Sequence, residues 1–118
     1  MTRDDVLAYC AGMAGAVEEY PFGDEVAVFK VGGKMFALVM LEGEPGFVNL
    51  KCDPDLAVEL RARYAAVEPG YHANKRHWNS VHLERSIEDF ELQEMIDHSY
   101  TLIVNRLPRA ERARIQTG

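Results

Sequence analysis

Val26-Ala27-Val28-Phe29-Lys30-Val31-Gly32-Gly33-Lys34-Met35-Phe36-Ala37-Leu38-Val39-Met40-Leu41 is the stretch that decides the fold. Two runs rich in β-branched and aromatic residues flank a Gly-Gly pair. Glycine accepts the positive φ of a two-residue hairpin turn, so this pattern predicts an antiparallel hairpin. A second turn, Glu42-Gly43-Glu44-Pro45-Gly46, leads into a third strand-like run, Phe47 to Lys51. With Gly32 and Gly33 as the loop, Val31 faces Lys34 and Phe29 faces Phe36. With residues 42–46 as the second turn, Leu41 faces Phe47 and Leu38 faces Leu50. Side chains alternate along each strand. One face then carries Ala27, Phe29, Val31, Phe36, Leu38, Met40, Val48 and Leu50 and is expected to lie under helices. The other carries Val26, Val28, Lys30, Met35, Ala37, Phe47, Asn49 and Lys51, and is expected to stay partly open to water or a partner.

Helices are expected on either side of this meander. Thr2 and Asp5 have the spacing of a capping box, followed by an apolar stripe of Val6, Leu7, Cys10 and Met13. Ala16 to Tyr20 reads as a short edge strand. Asp53-Pro54 opens a second helix with Leu56, Ala57, Leu60 and Tyr64 on one side, ending before Glu68-Pro69. A strand is expected around Asn79 to Leu83. Ser86 is expected to cap the last long helix, with its stripe of Leu92, Met95, Ile96, Ser99, Leu102 and Ile103. The fold class is therefore α+β, an antiparallel sheet with helices on one face, in the rough order α-β-β-β-β-α-β-α. The 118 residues are expected to form one domain, 1–118, with 108–118 a short basic tail carrying Arg109, Arg112 and Arg114.

The bulk numbers exclude several classes. The chain is 47% hydrophobic and 27% charged, with a net charge of −6 from 13 basic and 19 acidic residues. That balance argues against coating nucleic acid by bulk charge, though not against a local basic patch. The longest apolar run, Met35 to Leu41, is too short to span a bilayer. No signal peptide is evident, and Cys10 and Cys52 read as buried thiols of a reduced compartment, so a cytoplasmic location is expected.

One segment concentrates side-chain chemistry: Pro69-Gly70-Tyr71-His72-Ala73-Asn74-Lys75-Arg76-His77-Trp78-Asn79, with the only Trp and two of the four His. It reads two ways. As a nucleic-acid contact, Lys75 and Arg76 meet phosphates, Asn74 a base edge or phosphate, and Tyr71 or Trp78 stacks on a base. Lys30, Lys34 and Lys51 would extend that surface. As a structural loop, Trp78 and Tyr71 plug the sheet while His72, His77 and Asn74 satisfy the loop backbone. His72, His77 and His82 are five residues apart, a spacing that shares no face of a helix or strand. No metal motif, nucleophile elbow or phosphate loop is present. Neither an enzyme nor a cofactor is expected.

Tyr20-Pro21-Phe22-Gly23, Val28 to Ala37, Asn49-Leu50-Lys51-Cys52-Asp53-Pro54, Pro69 to Val81 and Asp97-His98-Ser99-Tyr100 together resemble the MmcQ/YjbR family of small bacterial proteins. The resemblance covers nearly the whole chain, and its Tyr-His-x-Asn-Lys-x-His-Trp block is the most specific part. Ala73 departs from the Met of many relatives. The resemblance implies a frataxin (CyaY)-like fold and a DNA-binding role. The expected function is a binding module whose candidate nucleic-acid or anion-binding residues are Lys30, Lys34, Lys51, Tyr71, His72, Asn74, Lys75, Arg76, His77 and Trp78. The alternative is a protein- or small-molecule-binding module that uses the open sheet face. Frataxin-like metal handling, with acidic residues such as Asp4, Asp5, Glu18, Glu19, Asp24 and Glu25, is the third reading.

Overall fold

A computed structural model describes residues 1–117. The elements are α1 (Arg3–Ala11), β1 (Val17–Glu19), β2 (Val26–Val31), β3 (Lys34–Met40), β4 (Phe47–Lys51), α2 (Pro54–Arg63), β5 (Val67–Pro69), β6 (Trp78–His82), α3 (Asp89–Val104) and α4 (Arg109–Thr117). The expected order holds, with two additions. A short strand, β5, lies where the sequence suggested loop, and the basic tail is a helix. The six strands form one antiparallel sheet in the order β1-β2-β3-β4-β6-β5. Among the described residues, no helix is long and apolar enough to cross a membrane.

Local signals place the first two helices. Thr2 Oγ1 accepts from Asp5 N at 3.1 Å while Asp5 Oδ2 accepts from Thr2 N at 2.8 Å, a complete capping box. Asp53 Oδ1 caps α2 through Asp55 N at 3.1 Å and Leu56 N at 3.3 Å. The expected Ser86 cap of α3 is absent, because Ser86 Oγ donates to Glu84 instead. Ile87 is drawn into the core, so the chain stays extended through Glu88 (φ −59, ψ 145) and helical geometry starts at Asp89.

The hairpin is where the structure corrects the expected register. Val31 pairs with Lys34 as predicted, but Phe29 pairs with Ala37, not Phe36. A β-bulge at Phe36 inserts one residue into β3. Beyond it, the β3 side chains are swapped between faces. Ala37 and Val39 join Ala27, Phe29, Val31, Phe36, Val48 and Leu50 in the core. Leu38 and Met40 turn to the opposite face. The pairing with β4 is shifted in step, so Leu50 opposes Ala37 and not Leu38.

The bulge has a polar consequence. Beyond the Ala37–Leu50 pair the β3 and β4 strands part, and the fully buried Ser99 of α3 stands between them. Its hydroxyl donates to the Phe36 carbonyl at 2.6 Å and accepts from Lys51 N at 2.9 Å. One side chain thus satisfies two backbone groups that a continuous ladder would have paired. The core face is covered by α1, α2 and α3. Tyr9 of α1 donates to Asp97 of α3 at 2.7 Å, and the Phe36 ring meets Tyr100 edge-on at 5.3 Å. On α4, Ile115 reaches the backbone at Gly15 and packs against the core.

Candidate functional site

The face of the sheet away from the helices is not left open. The segment between β5 and β6 folds back across it, and the residues that make it do so are identifiable. Gly70 N donates to Trp78 O at 2.9 Å, and a Cβ at Gly70 would lie 2.8 Å from Trp78 Cβ. Only glycine permits that approach. Asn74 makes the tight turn: its carbonyl accepts from His77 N at 3.2 Å and Trp78 N at 2.9 Å, and its side chain accepts from Arg76 N at 3.0 Å. His72 sits at φ 53, a left-handed backbone that a non-glycine residue holds only when its surroundings impose it.

Two buried polar side chains impose it. Asn49 on β4 and Ser80 on β6 are cross-strand partners, each 2% exposed. Ser80 Oγ accepts from Tyr71 N at 2.9 Å and donates to Asn49 Oδ1. Asn49 Nδ2 donates to the Tyr71 carbonyl at 2.9 Å. Both backbone groups of Tyr71 are therefore held, and its ring stands edge-on to Phe47 at 5.7 Å. A loop pinned at Tyr71 leaves a hollow of about 430 Å³ beneath its far half. Val26, Met35, Leu38 and Met40 of the sheet form the floor and Tyr71 to Asn74 of the loop the roof, with Trp78 and Phe22 also lining it. Tyr71 is 55% and Phe22 62% exposed, so the mouth is aromatic.

Of the residues expected to form one basic surface, the structure brings only some together. Tyr71, His72, Asn74 and Trp78 line the hollow. Lys30 is engaged by Glu19 at 3.0 Å. Lys75 turns back onto the loop, donating to the Gly70 carbonyl at 2.9 Å. His77 is half-buried, and its carbonyl accepts from Cys52 N at 2.8 Å. Arg76 and Lys34 are exposed at the loop and the hairpin tip. Lys51 lies beside Trp78 in the sheet. Partial burial lowers its pKa first, and the charges of Arg106 and Lys34 lower it further. Lys34, Lys51 and Arg106 are thus a small cationic group at one end of the sheet, while Lys30 and Lys75 are spent on internal contacts.

The sequence reading places Val26 and Met35 of the floor on this face but misses Leu38, Met40 and the pins. It sets Leu38 and Met40 in the core because a bulge leaves no mark in the alternation of an all-apolar run. Asn49 stood on the correct face, but its partnership with Ser80 needs the β4–β6 register, which spans about thirty residues. Among the described residues, no group of three or more His, Cys, Asp or Glu is disposed to hold a metal ion.

The architecture and this face define a class: a single antiparallel sheet, helices on one side, and an aromatic loop strapped over the other. The family model described as YjbR matches residues 11–102, and the chain belongs to the YjbR family. It is 36% identical over 113 residues to the uncharacterized protein YjbR of Escherichia coli (strain K12), covering 95% of each chain. It is 41% identical over 100 residues to the uncharacterized protein YbdF of Escherichia coli O157:H7, covering 84% of this chain and 81% of that one. The crystal structure of Deinococcus radiodurans protein DR2400 superposes with a TM-score of 0.90 at 36% identity, covering 98% of this chain and 88% of that one.

Proposed function

We propose that the protein is a binding module whose ligand is a small, largely apolar molecule held in the hollow between the sheet and the 70–78 loop. The observation that carries this reading is the hollow itself. Its volume of about 430 Å³ falls within the range of small-molecule sites. Its walls are methionine, leucine, valine and aromatic side chains, and its roof is pinned in advance by Asn49 and Ser80. A site already ordered loses less entropy on binding. Trp78 lines the hollow and is the only tryptophan, so its emission reports occupancy directly. Titration with apolar aromatic compounds is expected to shift that emission saturably. Leu38→Glu, which puts a carboxylate on the floor, is expected to abolish the shift while circular dichroism stays native. An emission unmoved by a broad set of such compounds overturns the reading.

A second reading rests on a different observation, the grouping of Lys34 and Arg106 around Lys51, which pairs with Trp78 in the sheet. Such a group fits an anionic polymer such as DNA. Three phosphate contacts give a log–log salt slope of roughly −2.7 on duplex DNA. Titration of duplex and single-stranded DNA in a salt series, with Lys34→Glu and Lys51→Glu as controls, tests it. Absence of binding at low salt removes nucleic acid from the account.

A further inference from the structure

Lys51-Cys52-Asp53 carries the chain from β4 into α2, and all three of its backbone amides are held from outside. Lys51 N donates to Ser99 Oγ at 2.9 Å, Cys52 N to the His77 carbonyl at 2.8 Å, and Asp53 N to His98 Nε2 at 3.2 Å. Two of the three acceptors, His98 and Ser99, are neighbours on α3. A hydroxyl or carbonyl oxygen accepts at any pH. An imidazole nitrogen accepts only while it carries no proton, so the third bond selects the neutral His98 ring with its hydrogen on Nδ1. The residue held by that bond is the N-cap of α2, whose carboxylate accepts from Asp55 N and Leu56 N.

We propose that His98 is a pH-sensitive latch between α3 and the start of α2. Protonation of the ring removes the acceptor and sets a second N–H against that of Asp53. The Asp53 amide is released, and the first turn of α2 loosens from α3. The charged ring has two carboxylates to turn to. One is that of Asp53, which it would draw away from Asp55 N and Leu56 N. The other is Glu94, one turn earlier on α3, which shares with His98 the wall of the cleft between α2 and α3. Either move ends the cap arrangement seen with the neutral ring. Lys51 and Arg63 line the same cleft and carry the sign of the protonated ring. Glu91 is engaged by the Tyr64 hydroxyl, and the Cys52 thiol is held neutral by burial. Of these side-chain types, histidine alone changes charge between about pH 8 and 5.5. The latch lies on the helix side of the sheet and does not depend on a ligand in the hollow.

Two-dimensional NMR of the intact protein between pH 8 and pH 5.5 follows both partners of the bond. The Asp53 amide signal is expected to move with the same midpoint as the His98 ring signals, and the Asp55 and Leu56 amides to follow it. At pH 5.5 the hydrogen-exchange protection of the Asp53 amide, taken relative to that of Lys51, is expected to be about fivefold lower than at pH 8, the loss of one hydrogen bond. The Lys51 amide, held by Ser99, serves as the internal reference. His98→Gln sets an amide oxygen in the place of Nε2 and accepts at every pH, so the Asp53 amide is expected to lose its pH dependence. If this variant fails to fold, the titration of the unaltered protein still decides. A ring that titrates while the Asp53 amide stands still would overturn the latch, as would a ring that takes up no proton down to pH 5.5. So would an unchanged pH dependence of the Asp53 amide in His98→Gln, which would make a carboxylate its cause.

Discussion

Ser99 shows how much a single hydroxyl can carry when it is placed at a break in a ladder. It is fully buried, and it partners both the Phe36 carbonyl and the Lys51 amide. Ser99→Ala removes no volume to speak of but orphans two buried backbone groups. At 1–3 kcal/mol for each of the two groups, a destabilisation of about 2–6 kcal/mol is expected. Urea denaturation checks this as a lowered midpoint at constant m. The thiols give a pH prediction. Burial raises the Cys10 pKa from 9.0 to about 12, and that of Cys52, again mainly through burial, to about 11. The Tyr9 hydroxyl, donating to Asp97, is likewise raised to about 12. Each group keeps its proton more tightly folded than unfolded. Its stabilisation is therefore complete below about pH 9 and is lost as pH rises from there through 11 to 12. Melting temperatures are expected to fall across that window, less steeply in Cys10→Ala. Neither thiol is expected to react with an aromatic disulfide reagent at pH 7.5 until denaturant is added.

Among the elements, the β2–β3 hairpin separates two uses of glycine. Gly32 and Gly33 both have positive φ, 58 and 80 respectively. A Cβ at Gly33 meets nothing within 4 Å, whereas one at Gly32 would lie 2.6 Å from Leu107 Cδ1. Leu107 is buried in the turn between α3 and α4, so it cannot swing aside cheaply. Gly33→Ala is expected to cost about 1 kcal/mol, from backbone strain alone. Gly32→Ala is expected to cost a further 1–3 kcal/mol or so, from the overpacking. Thermal denaturation of the two variants side by side measures the difference. The same hairpin carries the bulge at Phe36, which re-aims Leu38 and Met40 from core to hollow. One inserted residue thus makes the floor of the candidate site.

For the molecule as a whole, the central feature is that the two sides of one sheet are finished differently. Three helices cover one side. A single loop covers the other, tied down at Tyr71 by Asn49 and Ser80. Removing the tie is expected to separate the site from the fold. Ser80→Ala leaves Asn49 without its hydroxyl partner and frees Tyr71 N. A loss of roughly 1–3 kcal/mol is expected, with the helical signal intact. Amide exchange at Tyr71 should accelerate far more than exchange in β2 and β3, and the ligand response of Trp78 should weaken. Equal acceleration throughout the sheet would mean that the loop and the sheet open as one unit.

What could be read from the chain alone was whatever short-range chemistry dictates. The Gly-Gly turn, the Thr2–Asp5 capping box, the Asp53-Pro54 start of α2 and the limits of β2 and β4 all depend on residues a few positions apart. The helices-on-one-face architecture followed from alternation and apolar stripes. The residues of the 69–79 segment, too, stood out by composition as the place to look. The bulge, the Asn49–Ser80 pair and the fate of each lysine belong to the tertiary structure. The first two depend on which strand meets which and where Ser99 of α3 comes down, contacts between residues 31 to 63 positions apart; the lysines depend on the β1–β2 pairing and on how the 70–78 loop folds back. Lys30 and Lys75 look like free cations in the sequence and become internal partners only once Glu19 and Gly70 are brought beside them. Local patterns encode backbone shape, but the identity of a neighbour across the sheet is settled by register, which one extra residue is enough to change.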